Sequence, residues 1–338
     1  MKKVNSFLEC LDNFLNVYII EIKGLSQNTQ KAYKYAFKLL FDFLYKEKKI
    51  KSDKVTFEIL DYNLLTEFLE WLEKERKCSP KTRNQRLAAI SSFSEYASIR
   101  FIDATTTFRK AILNIPFKKT TEKQYSYFLK EELKILFNEP DIKTKIGMRN
   151  KAILTFMYAS GARAQEVCDL KVCDINFDKD KTRIILHGKG KKTRSITIPR
   201  IPAQILKEYI DTFMPNGDAE SYVFSSQTHK HMTVSCIEEI YKKYISSAKQ
   251  KGTATLFCDK YSPHSMRHTT ATHMVEAGVP LLIIKNFLGH SSIATTQIYA
   301  SVSQKTMDNT LIEWNEKWLT KSKESNRYKS NIPDFLKW

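Results

Sequence analysis

The sequence predicts a mostly α-helical protein that carries one small β-hairpin and divides into two domains. Three observations support this prediction. Apolar residues recur at the three- and four-residue spacing of helix faces along most of the chain. One Gly-rich turn lies between two short runs of alternating branched residues, which is the pattern of a hairpin. The length of 338 residues suits two average domains better than one.

The first half of the chain contains three well-marked helices. Ser26 to Lys46 begins with polar capping residues and then shows one apolar face, and Asn63 to Lys74 repeats that pattern. A third helix opens at Ser79-Pro80, where a Ser cap precedes a Pro in the first turn. We therefore predict a small all-α domain over residues 1–115, followed by an extended polar linker at 116–126. The expected core face of the third helix consists of Leu87, Ile90, Phe93 and Tyr96.

The second half combines helices with the hairpin, and we predict an α+β domain over residues 127–320. It opens with helices at Lys130–Asn138 and Arg149–Ser160. The strands Arg183–His187 and Ser195–Ile198 flank a turn that contains two glycines and three lysines. Residues 321–338 are expected to form a charged tail. The remaining predicted helices are Ala203–Phe213, Val234–Lys251, Pro263–Ala277 and Leu281–Leu288.

The chain is strongly basic, with 55 Lys and Arg residues against 37 Asp and Glu residues and a formal net charge of +18. Both halves share the excess, because residues 1–124 carry 23 basic and 15 acidic side chains and the remainder carries 32 and 22. A surplus of this size predicts a polyanionic partner. Its presence in both halves predicts a two-domain clamp around that partner.

Other features of the whole chain narrow the class of protein. No apolar run approaches the roughly 20 residues that span a bilayer, and no signal peptide is expected. The six cysteines form no CxxC pair, so we expect free thiols and a cytoplasmic protein. His229 and His231 lie two apart in a polar loop, but the sequence predicts neither a metal site nor a cofactor.

Near the end of the second half, two motifs carry groups suited to a phosphate. His264 and Arg267 lie three apart at the start of a predicted helix, so they share one face and could bind an anion. His290 follows a Gly that ends the next helix, and Tyr299 lies two turns into the following segment. Taken singly, these residues are better explained as a surface pair, a loop histidine and a half-buried core aromatic.

Two further motifs precede them. Arg163 follows the sharp turn at Gly161, and Glu166 could hold its guanidinium in a bidentate pair. Lys189 lies between two glycines at the hairpin tip, where the backbone could approach a ligand closely. Alone, the first is an ordinary surface ion pair and the second is a solvated turn.

Taken together and in order, these motifs resemble the tyrosine recombinase family, also called the phage integrase family. Its catalytic domain carries an Arg after a Gly, a Lys in a β-hairpin, an HxxR, a Gly-His and a Tyr nine residues past that His. The chain has this order in SGARAQEV, GKGKKTR, SPHSMRH and LGHSSIATTQIYA, and 299 minus 290 is nine. The stretches LSQNTQKAY and SPKTRNQRLAAISSF resemble the SAM-like core-binding domain of the family.

The resemblance implies that the chain cleaves and rejoins DNA through a 3′-phosphotyrosine at Tyr299, with no ATP and no metal. Arg163 and Arg267 would bind the scissile phosphate, because their planar guanidinium groups suit its developing charge. The same resemblance makes Lys189 the group that protonates the departing 5′ oxygen. The two histidines complete the implied set: His264 would assist proton movement at Tyr299, and His290 would donate a hydrogen bond to the phosphate.

The implied partner is double-stranded DNA with specific recombination sites. By the same resemblance, the protein would act as a homotetramer whose C-terminal helix is exchanged between protomers. Residues 303–319 have apolar side chains at helical spacing and would form that helix. A protein of this kind would be cytoplasmic and nucleoid-associated. In the first domain, the residues expected to contact DNA are Lys81, Arg83, Asn84 and Arg86, since Arg and Asn read bases and Lys binds phosphates.

Several alternatives remain open from the sequence. We expect integration, excision or transposition of a mobile element, with Xer-type resolution of chromosome or plasmid dimers as the alternative role. A type IB topoisomerase would have a similar active site, but the first domain resembles that of the integrases. A DNA-binding protein without activity is disfavoured by the complete catalytic set, and a metal-dependent nuclease by the lack of an acidic cluster.

Overall fold

A computed structural model describes residues 6–120, 125–178, 181–188, 192–214, 218–226, 228–253, 261–290, 292–300 and 312. These residues are mostly helical and include one three-stranded antiparallel sheet, which confirms the predicted fold class. The chain divides into two units, Met1–Lys123 and Gln124–Trp338. In the part of the chain that is described, no helix has both the length and the apolar character that a membrane span requires.

The first unit consists of helices, and the three predicted ones are confirmed as α2 (Gln27–Lys48), α3 (Tyr62–Lys74) and α4 (Pro80–Arg100). Each begins at a polar side chain that accepts a backbone N–H: Ser26 accepts from Thr29, and Asp61 accepts from Leu64. Residues Phe14–Ile22 continue the first helix with π-helical geometry. The helices of this unit are α1 Ser6–Asn13, α2 Gln27–Lys48, α3 Tyr62–Lys74, α4 Pro80–Arg100 and α5 Ile102–Asn114.

Aromatic side chains form the centre of this unit. Phe93, on the predicted core face of α4, meets Phe7 of α1 with ring centroids 5.5 Å apart and nearly perpendicular planes. It contacts Phe37 of α2 in the same edge-to-face manner at 5.2 Å, and Phe108 of α5 at 6.1 Å. Such pairs contribute about 0.5–1.5 kcal/mol each beyond the burial of their area. The core therefore fixes α1 and α5, the two helices that the sequence did not predict.

The second unit places its helices around a small sheet. The helices are α6 Lys130–Asn138, α7 Lys145–Ser160, α8 Ala164–Cys168, α9 Arg200–Phe213, α10 Val234–Ala248, α11 Pro263–Glu276, α12 Leu281–Leu288 and α13 Ala294–Ala300. Residues Lys249–Thr253 follow α10 as π-helical turns. Every helix predicted between residues 130 and 288 is present, and the short helix α8 is an addition. The helix predicted at 303–319 lies outside the described residues, apart from Ile312.

The sheet has the order β1-β2-β3, formed by Ile175–Phe177, Thr182–His187 and Thr193–Ile198. Strands β2 and β3 pair antiparallel from Thr182 opposite Ile198 to His187 opposite Thr193, which confirms the predicted hairpin. The three-residue strand β1 is too short to give an alternating pattern in the sequence. Lys189, at the predicted hairpin tip, lies outside the described residues.

Two glycines shape the loops that end α7 and α12. Gly161 and Gly289 have φ angles of +56° and +66°, in the left-handed region that glycine adopts without strain. A Cβ added to Gly161 would lie 2.7 Å from Leu288 Cδ2, so the end of α7 packs directly on α12. This close approach brings together the loops that lead to Arg163 and His290.

Candidate active site

Arg267 lies inside the second unit, one turn from the start of α11. Only 3% of its surface is exposed. Its Nη1 donates to the Gly161 carbonyl at 2.6 Å, and its Nη2 donates to the Leu288 carbonyl at 2.5 Å. Burial, followed by the charge of Arg163, lowers the pKa of Arg267 to about 9, so the side chain stays cationic at neutral pH. One guanidinium thus joins the ends of α7 and α12.

A buried carboxylate holds the second cation. Glu166 Oε2 accepts the backbone N–H of Arg163 at 2.8 Å, and Oε1 accepts the Arg163 guanidinium at 2.8 Å. Arg194 of β3 donates to both oxygens of Glu166, also at 2.8 Å, and its Nε donates to the Phe287 carbonyl. Burial opposes ionisation, but the hydrogen bonds and charges of the two arginines outweigh it and lower the pKa of Glu166. Glu166 is therefore ionised and ties the hairpin to Arg163.

Tyr299 is a core residue of α13, with 2% of its surface exposed. Its hydroxyl oxygen lies 2.9 Å from His268 Nδ1. The His290 ring lies nearly parallel to the phenol at 6.4 Å, and Tyr125 meets it edge-on at 5.2 Å. Burial raises the pKa of Tyr299, although the charges of nearby arginines act in the opposite direction. The phenol is therefore neutral at physiological pH.

His290 directly follows the left-handed turn that ends α12. Its backbone N–H donates to the Lys285 carbonyl at 3.0 Å, and its Nδ1 lies 2.9 Å from the Thr296 hydroxyl. Burial, together with the charges of neighbouring arginines, lowers the pKa of His290 to about 4. The ring is therefore neutral at pH 7. If Nδ1 accepts from Thr296, Nε2 carries the proton and remains a donor.

Two further histidines lie on α11. The His264 side chain is exposed at the first turn, yet partial loss of water around its ring and the charges of Arg267 and Arg163 lower its pKa. Its ring centroid lies 5.9 Å from that of His268. Burial, followed by the charge of His264, lowers the pKa of His268 to about 4. His264 is predicted to assist proton movement at Tyr299, and the imidazole within hydrogen-bonding distance of the phenol is that of His268.

Five of the six predicted catalytic residues are thus described, and they lie together: Arg163, His264, Arg267, His290 and Tyr299. The sixth, Lys189, lies outside the described residues. The residue just before it, Gly188, lies beside the Arg163–Glu166 pair, because a Cβ added there would be 3.3 Å from Glu166 Oε1. The turn end of the hairpin therefore adjoins the arginine site.

Three residues of this site were not predicted from the sequence. His268 had a signal, since it lies four residues after His264 and therefore on the same helix face. Arg194 lies within the GKGKKTR stretch, but its pairing with Glu166 depends on how the sheet packs. Tyr125 was assigned to the linker, yet its hydroxyl donates to the Ile298 carbonyl at 3.2 Å. No local pattern marks it.

The residues predicted to contact DNA in the first unit have varied surroundings. Lys81 is exposed. Arg83 is buried, and its Nη1 donates to the Pro116 carbonyl at 2.9 Å. Asn84 Nδ2 donates to the Lys118 carbonyl at 2.8 Å and Asn84 Oδ1 accepts the Lys118 N–H at 3.1 Å. The Arg86 guanidinium lies over the Tyr35 ring. In this conformation Arg83 and Asn84 hold the chain at 116–118, and their contact with DNA stays a prediction.

His231, one of the two loop histidines outside the site, contacts a carboxylate and a tyrosine. His231 Nε2 lies 2.9 Å from Asp169 Oδ1, and its ring contacts Tyr222. Among the residues that the structure describes, no group of three or more His, Cys, Asp or Glu side chains could hold a metal ion.

The arrangement suits one kind of chemistry. Two guanidinium groups offer charge and paired donors to a phosphate, neutral imidazoles offer single hydrogen bonds, and a phenol supplies an oxygen nucleophile. Because the groups sit in largely buried surroundings, each electrostatic contact with a phosphate would be stronger than in water.

Comparison with known proteins gives matches along most of the chain. The profile of the "Phage integrase family" matches residues 126–306, and that of "Phage integrase, N-terminal SAM-like domain" matches residues 11–100. Tyrosine recombinase XerD of Haemophilus influenzae is 31% identical over 305 residues, which cover 88% of this chain and 95% of that protein. Tyrosine recombinase XerC of Caldanaerobacter subterraneus subsp. tengcongensis is 30% identical over 322 residues, covering 89% and 87%.

Solved structures share the fold. The XerH site-specific recombinase, in a post-cleavage complex with palindromic difH substrate, has a TM-score of 0.68 and 18% identity and covers 94% of this chain and 92% of its own. The Tn1549 transposon integrase, in complex with transposon right end DNA, also has a TM-score of 0.68, with 17% identity and coverage of 92% and 99%. At these identities the likeness concerns the architecture alone.

Proposed function

The chain belongs to the phage integrase family of tyrosine recombinases, and from that premise we propose that it recombines double-stranded DNA at specific sites with Tyr299 as nucleophile. One observation carries the assignment of the nucleophile. The Tyr299 phenol lies beside His268 and His290, and it is close enough to Arg267 and Arg163 for their positive charges to favour its ionised form. A phosphate bound by the two arginines would be close to the phenol oxygen.

In the proposed cleavage step, the Tyr299 oxygen attacks the scissile phosphorus as the bond to the 5′ oxygen breaks. The proton of the Tyr299 hydroxyl passes to His264, and Lys189 gives a proton to the leaving 5′ oxygen. The product is a 3′-phosphotyrosine and a free 5′ hydroxyl. Rejoining reverses these steps with a 5′ hydroxyl as nucleophile. Because the phosphotyrosine conserves the energy of the broken bond, no ATP is needed.

Arg163 and Arg267 would bind the non-bridging oxygens of the phosphate. Their positions support this role, since each guanidinium is held by hydrogen bonds to the protein before DNA arrives. His290 would donate from Nε2, because its Nδ1 already faces Thr296. No part of this scheme uses a metal ion.

We assign residues 1–115 to core binding, 116–126 to the linker, 127–320 to catalysis and 321–338 to a tail. The surplus of basic over acidic residues on both sides of the linker supports a clamp around DNA. We further propose a homotetramer on two DNA sites, in which the helix at 303–319 docks on a neighbouring protomer. Apart from Ile312, that segment lies outside the described residues. A cytoplasmic, nucleoid-associated protein follows from such a partner.

The substitution Tyr299→Phe tests the nucleophile. Duplexes selected from a random pool by binding to the full chain would be nicked beside the cut, so that cleavage traps the covalent complex. The wild-type chain should give a protein–DNA band on denaturing gels, and Tyr299→Phe should bind the same duplex without forming that band. A covalent band of normal yield from Tyr299→Phe would refute the assignment.

Two biological roles are compatible with this activity. We favour integration, excision or transposition of a mobile element. The similarity to proteins named XerD and XerC, at 30–31% identity over most of the chain, favours Xer-type dimer resolution as the second candidate. Mapping trapped protein–DNA ends in the source genome separates the two. Ends at the borders of a mobile element support the first role, and one chromosomal site away from any element supports the second.

A further inference from the structure

Helix α11 carries two histidines that contact tyrosines in the same way. His268 Nδ1 lies 2.9 Å from the Tyr299 hydroxyl, and His273 Nδ1 lies 3.0 Å from the Tyr158 hydroxyl. The paired rings are also at similar distances, with centroids 5.6 Å and 5.8 Å apart. One pair ends at the proposed nucleophile, and the other ends at a tyrosine with no proposed role in the reaction.

The first pair has a defined donor and acceptor. Burial lowers the pKa of His268 to about 4, so its ring is neutral at pH 7. Burial raises the pKa of Tyr299, so its hydroxyl keeps its proton. A neutral phenol facing Nδ1 donates, and the ring accepts with its proton on Nε2. The phenol oxygen keeps its lone pairs, which an attack on phosphorus requires.

Tyr125 holds both rings of this pair from a third side. Its ring centroid lies 4.8 Å from that of His268 and 5.2 Å from that of Tyr299. Its hydroxyl donates to the carbonyl of Ile298, the residue before Tyr299. The phenol is therefore fixed by a hydrogen bond at its tip and by packing along its face, while its backbone is bonded one residue away.

We propose that His268 is a positioning residue for Tyr299, whose ring nitrogen accepts the phenol hydrogen bond and sets the direction of the hydroxyl before the phosphate arrives. The proposal rests on the proposed function of Tyr299 and goes beyond it. His268 takes no proton and does not touch the DNA. It acts through Tyr299, by limiting the orientations of an oxygen that must attack along one line.

Three variants separate positioning from stability. His268→Asn keeps an acceptor, because the Asn Oδ1 lies about where the imidazole Nδ1 was, and His268→Ala removes it. His273→Ala is the matched control on the same helix. The measurement is the single-turnover rate of covalent complex formation on the selected nicked duplex at saturating protein. Duplex affinity and thermal unfolding are measured in parallel.

We expect His268→Ala to slow covalent complex formation by about 100-fold, with duplex affinity unchanged. His268→Asn should recover the rate to within about tenfold of the wild type, and His273→Ala should stay within about threefold of it at temperatures where both are folded. A rate in His268→Ala equal to that of the wild type would overturn the proposal. Equal losses in the two alanine variants, or no rescue by Asn, would show a structural role instead.

A second measurement does not depend on activity. In ¹⁵N-histidine NMR spectra of the free protein, the His268 signals, identified by their absence in His268→Asn, should show a neutral ring with an acceptor Nδ1. Tyr299→Phe should shift that Nδ1 signal and leave His273 unchanged. An unshifted signal contradicts the hydrogen bond. A covalent complex in Tyr299→Phe would refute the proposed function itself, whereas an inactive Tyr299→Phe beside a fully active His268→Ala would overturn only the positioning role.

Discussion

Arg163 and Arg267, the two proposed phosphate ligands, are held in place in two different ways. Arg267 is held by two backbone carbonyls, and Arg163 is held by Glu166, which also binds Arg194. Removing one partner of a buried ion pair lowers the free energy of unfolding far more than removing one partner of an exposed pair, because the remaining charge is left buried and unpaired. Glu166 is therefore the residue on which the geometry of Arg163 most depends.

The substitution Glu166→Gln should destabilise the second unit by about 3 kcal/mol, because an uncharged amide at this buried position cannot neutralise the two half-buried guanidinium groups that it contacts. Urea unfolding followed by circular dichroism measures this change. Glu220→Gln is the control, since Glu220 pairs with Lys171 at the surface and its removal should leave the midpoint unchanged. Equal effects of the two substitutions would mean that the Glu166 network contributes nothing special.

Acid should destabilise the protein through its site histidines. Folding lowers the pKa values of His268 and His290 from 6.5 to about 4. Between pH 4 and pH 6.5 these two imidazoles are therefore protonated in the unfolded chain and neutral in the folded chain. Stability is therefore complete above about pH 6.5 and is lost as the pH falls toward 4. Because both rings are partly exposed, we expect a loss on the order of 1 kcal/mol for each. His290→Asn should flatten the decline of Tm between pH 6.5 and pH 4.5, and an unchanged slope would exclude His290 as its source.

The proposed role of Lys189 as general acid can be tested by changing the leaving group of the DNA. If it protonates the leaving 5′ oxygen, Lys189→Ala should slow cleavage of a normal phosphodiester strongly, by at least about 100-fold. A duplex with a 5′-bridging sulfur has a leaving group that needs no proton, so the variant should cleave it at nearly the wild-type rate. Equal losses on both duplexes would remove Lys189 from the role of general acid.

At the level of elements, α4 controls where the chain leaves the first unit. Asn84 forms reciprocal hydrogen bonds with the backbone of Lys118, and Arg83 binds the carbonyl of Pro116. The Lys118 side chain is in turn paired with Glu73 of α3. These contacts hold the first residues of the predicted linker, 116–118, against α4. The composition of the linker predicts only an extended, polar segment.

Asn84→Ala should release this part of the linker. We expect faster tryptic cleavage after Lys118 and a loss of about 1–2 kcal/mol, because two backbone groups lose their partner. Lys81→Ala, on the exposed side of the same helix, should weaken DNA binding without changing proteolysis. The contrary result, in which Asn84→Ala keeps its proteolytic pattern but loses discrimination between DNA sequences, would make Asn84 a base-reading residue.

Elements with strong local signals were predicted well. Helices α2 and α4 combine a Ser cap with a regular apolar face, and the four residues of α4 expected in the core are buried: Leu87, Ile90, Phe93 and Tyr96. Helix α5 was missed because its three threonines have low helix propensity, and contact between Phe108 and Phe93 stabilises it instead. The order of motifs was sufficient to predict the set around Tyr299. The His268 contact was not predictable, since it depends on the packing of α13 against α11.

At the level of the whole molecule, we propose that the segment after Tyr299 links cleavage to assembly. Two tryptophans in the segment from 303 to 319 would be costly if exposed on a monomer, but they would serve as anchors in an interface. Removing residues from Ser303 onward should therefore leave binding to one site nearly intact. Cooperative binding to paired sites and recombination should both be lost.

Gel shifts on duplexes with one and two sites measure the effect of this truncation. Replacing both Trp314 and Trp318 with Ala in the full-length chain is the milder control, and it should reduce cooperativity in the same direction. Undiminished cooperativity in the truncated protein would exclude docking of this segment on a neighbouring protomer.

The carbonyl contacts of Arg267 affect which site residue would be replaced first if a descendant of this chain lost its activity during evolution. Arg267 joins the ends of α7 and α12, so a drifting descendant that replaced it would also lose two charged hydrogen bonds inside the fold. Tyr299 could become Phe at the cost of one hydrogen bond to His268. Inactive descendants should therefore keep the arginine and shed the phenol oxygen. Among such sequences, a retained arginine at this position indicates only that the fold is kept. A retained tyrosine, the proposed nucleophile, indicates that the activity is kept as well.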